Sequence, residues 1–234
     1  MNNLCTICMR KGSKGVPNKN LREINGKPLM AYTIEKAIES ELFLHVVVST
    51  DSEKIAETAK TFGADVWFLR PKELALDDTP KLPVIRHAFQ ESEKYYGQMF
   101  DILMDLDSTS PLREVEDITG SYRQFVKEDA DNLISVCCAK KNPYYNMVEL
   151  VNGKVQLIKK THPVPHSRQS APQVFDMNAS IYIWKRETLL KYNSLFLEKT
   201  SLYVMNEDRS VDIDSQHDFN LVDYMIKKQK KIHD

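Results

Sequence analysis

Along the first half of the chain, short apolar runs alternate with longer segments whose apolar positions recur every three or four residues. The runs "LCTICM", "HVVVST", "DVWFL", "DILMDL" and "NLISVCCA" are short and largely apolar, as in strands buried on both faces. Between them, "PLMAYTIEKAIES", "SEKIAETAKTFG", "KLPVIRHAFQESEKYY" and "EDITGSYRQFVKE" have the spacing of amphipathic helices. Repeated strand–helix units predict an α/β fold: a three-layer sandwich of the nucleotide-binding kind, with a mainly parallel central sheet covered by helices on both faces.

Near Lys140 the helical period stops. From there to about Gln173 the chain reads as an insert, and "MVELVNGKVQLI" alternates around Asn152-Gly153, a strong two-residue hairpin signal. The α/β pattern resumes at "ASIYIW", continues through "KRETLLKYN" and "SLYVM", and closes with the helix "SQHDFNLVDYMIKKQKKI". Its terminal lysines read as partners of the helix dipole and as solubilising charge. The whole is expected to be one domain, 1–234, carrying an excursion at about 140–173.

Composition narrows the class. Hydrophobic residues make up 42% and charged residues 28%, an ordinary globular mixture, and the formal net charge of −1 argues against a general nucleic-acid binder. No apolar run reaches the ~18 residues of a membrane span, and no secretory leader is seen, so a cytoplasmic protein without a membrane partner is expected. Cys5 and Cys8 have C-x-x-C spacing, but three positions apart in one strand they face opposite sides, and they read as structural thiols. His87, His162 and His166 have no partner at ligand spacing.

Ligands of open parallel sheets bind at the carboxyl ends of strands. After the first strand come Arg10, Lys11, Gly12, Ser13, Lys14, Gly15, Asn18, Lys19 and Asn20. Glycines allow backbone N–H groups close to an anion, and fixed cations balance phosphate charge, so the loop reads as a polyphosphate cradle or as a solvated basic loop. It matches neither the Walker nor the dinucleotide pattern. Asp212 and Asp214, in "SVDIDS", lie two apart in an extended segment, which would project both carboxylates from one face, either toward a hard cation or as the exposed alternation of an edge strand. Asp105 and Asp107 repeat that spacing in "MDLDSTSPLR". An anion cradle with paired carboxylates suggests Mg²⁺-nucleotide chemistry.

The ordered motifs "RKGSKGVPNKNLREINGKPLMAYTIEKA", "VVVSTDSEKIAETAKTFGADVWFLRPKELA", "DSTSPLR", "RQSAP", "NASIYIW" and "SVDIDS" resemble the acylneuraminate cytidylyltransferases, or CMP-sialic acid synthetases, over nearly the whole chain. "DLDSTSPLR", "NPYYNMVE" and "RQSAPQVFDMNASIY" look most like the bacterial branch that activates legionaminic acid. The resemblance implies Mg²⁺-dependent transfer of CMP from CTP to a nine-carbon 2-keto sugar acid, in a homodimer whose insert reaches over the partner's sugar site. It implies nucleotide contacts for Arg10, Gly12, Ser13, Lys19, Asn20 and Arg70, and metal ligation by Asp212 and Asp214. Arg10, Lys19 and Asp214 become the catalytic candidates. On the sugar side stand Asp107, Tyr145, Arg168, Gln169 and Asn178.

Departures accompany the matches. Sialic-acid members commonly read "LQPTSPLR" where this chain has Asp107 and Ser108; Tyr145 and Asp176 stand where those members carry cations, and Lys81 stands near a common Ser. Asp107 then serves a different sugar pattern, joins an altered metal arrangement, or caps the following turn. Sialic or pseudaminic acid as substrate, and a non-catalytic nucleotide-binding regulator, are the alternatives. The intact cradle and carboxylates argue against the regulator.

Overall fold

The computed structural model describes residues 1–12 and 15–233, with the side chains of 229–233 excepted. In chain order it contains β1 (Asn3–Cys8), a small hairpin of β2 (Glu23–Ile24) and β3 (Lys27–Pro28), α1 (Leu29–Glu39), β4 (His45–Ser49), α2 (Glu53–Thr61), α3 (Lys81–Tyr96), β5 (Ile102–Leu106) and α4 (Val115–Lys127). The second half contains β6 (Asn132–Cys138), the ribbon strands β7 (Val148–Val151) and β8 (Lys154–Leu157), β9 (Phe175–Lys185), α5 (Arg186–Lys191), β10 (Thr200–Val204) and α6 (Gln216–His233).

Six strands form the central sheet in the order β10-β6-β9-β5-β1-β4. Only β9 runs antiparallel to its neighbours, β5 and β6, so the sheet is mainly parallel as the sequence predicts. One face packs Cys5, Ile7, Val48 and Met104 against Met30 and Ile34 of α1, Ile55 and Ala59 of α2, and Ile118 and Phe125 of α4. The other packs Leu4, Val47, Leu103 and Trp184 against Leu82, Ile85 and Phe89 of α3 and Leu189 of α5. Alternate residues of β1 thus enter opposite layers, which is why its sequence is apolar at successive positions.

The topology fixes where a ligand goes. From β1 the chain crosses through α1 to β4 on one side, and later returns through α3 to β5 on the other, so the loops leaving β1 and β5 diverge from a switch point at the carboxyl end of β1. A third apolar cluster joins Val16, Ile24 and Leu29 to Leu112, Ile213 and to Phe219, Val222 and Ile226 of α6. It anchors both the segment after β1 and the 211–214 segment on one small core.

One expectation changes. "DVWFL" joins no strand ladder; its only pairing is an isolated parallel bridge from Asp65 to Val47. The aromatic character that reads as β instead serves packing on α3: Trp67 stacks on Tyr95 at 4.3 Å, and Phe68 meets His87 edge-on at 5.6 Å. Residues 211–214 belong to no strand or helix. The lysines near the end of α6 include Lys230 and Lys231, whose side chains lie outside the described residues.

The inserted ribbon forms as predicted, with Asn152 and Gly153 at φ 52° and 76° between β7 and β8. It lies outside the main sheet and is uncovered, with Leu150 74% and Val155 69% exposed.

Candidate functional site

Clefts of about 420, 260 and 220 Å³ meet at the carboxyl end of β1 and share Arg10. The middle one is walled by Gly12, Gly15, Lys19, Asn20, Asp107 and Asp214. The loop after β1, the loop after β5 and the 211–214 segment therefore converge, although they are far apart in the chain. Another cleft of about 420 Å³ opens at the opposite end of the sheet beside Met1, Asp101 and Phe125, but its Lys185 and Arg186 are already ion-paired with Asp129 and Glu93.

Each part of the convergence has a local cause. Lys19 begins a 3-10 turn, Lys19–Leu21, and its Nζ donates to the Ile213 carbonyl while lying 3.8 Å from Asp214 Oδ1. Gly15 permits the same contact at backbone level: a Cβ there would sit 1.8 Å from the Asp214 carbonyl oxygen. Asn20 is buried, accepts from Ser108 Oγ at 2.8 Å and donates to the Arg10 carbonyl at 3.4 Å, linking the loops after β1 and β5. Arg10 is ion-paired with Asp77 at the cleft mouth. Ser13 lies outside the described residues.

Arg70 is buried, and its guanidinium donates to the carbonyls of Met9 and of Ser49, the latter at 2.9 Å. These bonds tie the ends of β1 and β4 together. Arg70, expected as a nucleotide contact, lines one of the three clefts and also holds the backbone from which the loop after β1 departs.

Asp212 and Asp214 do not form the equivalent pair that their spacing suggests. Between them, Ile213 is fully buried and its N–H donates to the Thr109 carbonyl at 3.0 Å. Asp214 has an 82% exposed side chain, whereas Asp212 is half-buried and its Oδ1 is sealed without a hydrogen-bond partner. Burial raises the Asp212 carboxyl most, Thr109 and Lys19 pull it down, and the negative charges of Asp107 and Asp214 push it up, so that together they bring it to about 6.

Asp107 is fixed on every side. Its Oδ1 accepts from the backbone N–H and hydroxyl of Thr109 at 3.2 and 3.0 Å, the turn cap weighed as one alternative from sequence. Its Oδ2 meets Lys81 Nζ at 2.8 Å, and its carbonyl accepts from buried Arg113 at 3.1 Å. Burial pushes this carboxyl up, but Lys81 and the Thr109 bonds outweigh it and hold the group below its ordinary value.

The remaining sugar-side candidates stand apart. Tyr145, Arg168 and Gln169 are on the exposed insert, and none lines the three clefts. Asn178 is buried; its amide accepts from Ser135 Oγ at 2.7 Å and donates to Ser210 Oγ at 3.0 Å, joining β6 and β9 to the approach of the 211–214 segment. Sequence reasoning did not single out Arg113 or Thr109. Their signal was the polar, Pro-containing stretch directly after β5, where side chains bond to a turning backbone.

The sequence profile of the family described as "Cytidylyltransferase" matches residues 4–233. The chain belongs to the cytidylyltransferase family. As such it is a nucleotidyltransferase, and its α/β sheet fits that class. Over 223 residues this cytidylyltransferase is 49% identical to the CMP-N,N'-diacetyllegionaminic acid synthase of Campylobacter jejuni, covering 95% of this chain and 94% of that one. It is 46% identical over 226 residues to the post-translational flagellin modification protein B of Campylobacter coli, covering 97% and 95%. Among solved structures, CMP:2-keto-3-deoxy-manno-octonic acid synthetase complexed with CTP has the same fold, with a TM-score of 0.73 at 16% identity over 98% of this chain and 100% of that one.

Cytidylyltransferases of this kind typically use a divalent metal. The carboxylates fit one: the orphan Oδ1 of Asp212 and the exposed Asp214 are hard oxygen donors beside the phosphate-sized cleft. Among the described residues no third His, Cys, Asp or Glu completes a protein-only cage, so substrate oxygens would supply the rest. No described helix is long and apolar enough to cross a membrane.

Proposed function

We propose that this cytidylyltransferase transfers CMP from CTP to the anomeric hydroxyl of a nonulosonic acid of the legionaminic type, with release of pyrophosphate. The observation that carries the reading is the meeting of the glycine loop, Lys19 and the exposed carboxylate of Asp214 in one cleft at the sheet's switch point, with the unpartnered oxygen of Asp212 two positions away. The sugar class is supported by 49% identity to the legionaminic relative, against 29% to the pseudaminic acid cytidylyltransferase of Campylobacter jejuni and 30% to the N-acylneuraminate cytidylyltransferase of Streptococcus agalactiae.

In the reaction the anomeric oxygen bonds to the α-phosphorus of CTP as the bond to the pyrophosphate oxygen breaks, and the hydroxyl proton is released to solvent. The obstacle is charge on the phosphates, and preorganised cations reduce it. Lys19, held by the Ile213 carbonyl, presents its ammonium at the cleft wall. Arg10 lies at the junction of all three clefts, where it can follow the phosphate chain. Gly12 and Gly15 leave the loop backbone open to phosphate oxygens. Asp212 and Asp214 would hold Mg²⁺, which supplies electrostatic stabilisation of the phosphates when bound. Asn20 and Arg70 position the two ends of the loop.

Tyr145, Arg168 and Gln169 reach a sugar through a second copy of the chain, whose core the ribbon would cover. An uncovered ribbon with Val148, Leu150 and Val155 all exposed supports this arrangement. The protein should therefore run as a homodimer in light scattering, and a Leu150→Asp, Val155→Asp variant as a monomer with its pyrophosphate release reduced. A fully active wild-type monomer would remove the shared site.

Pyrophosphate release is the direct assay, with CTP and Mg²⁺ and with legionaminic, sialic and pseudaminic acids in parallel. Preference for the legionaminic sugar is the expected result. Release with sialic or pseudaminic acid alone would keep the transfer chemistry and change the substrate, and no release with any of the three would reject the reading.

A further inference from the structure

Outside the residues assigned to phosphate and metal, the cleft is bordered by a charge cluster in which Asp105 is buried and Lys81 and Asp107 are partly exposed. Lys81 Nζ lies 3.1 Å from Asp105 Oδ2 and 2.8 Å from Asp107 Oδ2, and 4.4 Å from the centre of the Tyr182 ring. Asp105 is fully buried; its Oδ1 accepts from the buried Thr6 hydroxyl at 2.8 Å, and its Oδ2 has no hydrogen-bond partner and is ion-paired with Lys81.

Lys81 opens α3, whose first turn has no acidic residue. A cation at a helix amino terminus opposes the helix dipole, so local helix energetics give no reason for a lysine there. The two carboxylates do. Without the ammonium, Asp105 and Asp107 would bring two oxygen donors together beside the phosphate cleft, which is how proteins commonly begin a Mg²⁺ site. Asp107, moreover, lines the same cleft as Asp214.

We propose that Lys81 is a built-in cation: its ammonium occupies the place a second divalent ion would take between Asp105 and Asp107, confining metal to the Asp212–Asp214 side of the cleft. The inference deepens the proposed function by giving Asp107 the role of a fixed, neutralised wall and excluding it from the metal ligands. Lys81 acts here as a positioning residue. Lys81 holds Oδ2 of Asp107 while Thr109 holds Oδ1, so both carboxylate oxygens are engaged away from the Asp212 side.

The test counts bound Mn²⁺ on the purified full chain by loss of the free-ion EPR signal, without nucleotide. Lys81→Met should bind one more Mn²⁺ than wild type, adding Asp107→Asn to it should abolish the extra site, and Lys81→Arg should keep the wild-type count. Asp107→Asn alone should leave wild-type Mn²⁺ affinity within about threefold, whereas Asp214→Asn should weaken it by about tenfold or more. An unchanged count in folded Lys81→Met would overturn the proposal. So would a loss of wild-type affinity in Asp107→Asn comparable to that in Asp214→Asn, and this arm decides the matter if Lys81→Met does not fold. Because no sugar or CTP is present, failure of the substrate assignment would leave this count intact and separately readable.

Discussion

Asp212→Asn should make the metal-free protein more stable while lowering turnover by two or more orders of magnitude. The wild-type carboxylate is half-buried, has an unpartnered oxygen, and lies near the charges of Asp107 and Asp214, which together raise it to about 6. Its ordinary value is 3.8, so between those limits the folded protein retains a proton that the unfolded chain releases. Stability from this group therefore falls as pH rises from about 4 to about 6 and then stays low. Removing the charge recovers on the order of 2 kcal/mol at pH 7.5, or about 4–8 °C in Tm for a chain of this size. Near pH 4 the gain should vanish.

Ligand reverses the order. CTP with a divalent ion should raise the wild-type Tm, because binding to the native state stabilises it by mass action, and should raise that of Asp212→Asn much less. Thermal melts in EDTA, and again with CTP and Mg²⁺, together with pyrophosphate release, test both halves. A variant less stable than wild type in EDTA, or one that keeps wild-type turnover, would remove Asp212 from the metal role. This trade of stability for a charged, unpartnered group is the behaviour expected of a functional carboxylate.

The parallel sheet was legible because its strands are apolar at successive positions and its helices have a clear period; α3 coincides with "KLPVIRHAFQESEKYY" residue for residue. The ribbon was legible because Asn152-Gly153 suits positive φ at both turn positions. "DVWFL" misled because Trp67 and Phe68 are equally suited to a strand and to packing on α3, and pattern alone does not separate those uses.

At the site, residue types were legible and roles less so. Glycines and cations after β1 marked the loop, yet Arg70 proves to bind backbone carbonyls, which are invisible as partners in a sequence. Spacing placed Asp212 and Asp214 together. Their inequivalence arises from neighbours distant in the chain: Asp212 is enclosed beside Thr109 and Asp107, whereas Asp214 leads into α6 with its side chain exposed. Lys81 and Asp107 are 26 positions apart, and no local rule pairs them.

Gly15→Ala should abolish most activity, while Gly12→Ala leaves the fold untouched. Both glycines line the same cleft, but only Gly15 touches structure: its added Cβ would meet the Asp214 carbonyl oxygen at 1.8 Å and the carbonyl carbon at 3.0 Å. Because these are backbone atoms, no rotamer change relieves the overlap, and either the phosphate loop or the Ile213–Asp214 segment must move by about an ångström. Lys19 bonds to the Ile213 carbonyl, so the displacement separates the ammonium from the Asp214 carboxylate that it is registered against. Misplacement of that size commonly costs about 100-fold in rate, and overpacking costs about 1–3 kcal/mol in stability. A Cβ on Gly12 meets nothing within 4 Å, so the thermal stability of Gly12→Ala should equal that of wild type, and any loss of its activity would report phosphate approach. Melting curves and kcat for both variants distinguish the cases. Wild-type kcat in Gly15→Ala would mean that the close approach of loop and carboxylate segment does no catalytic work, and the cleft would then need another reason for bringing them together.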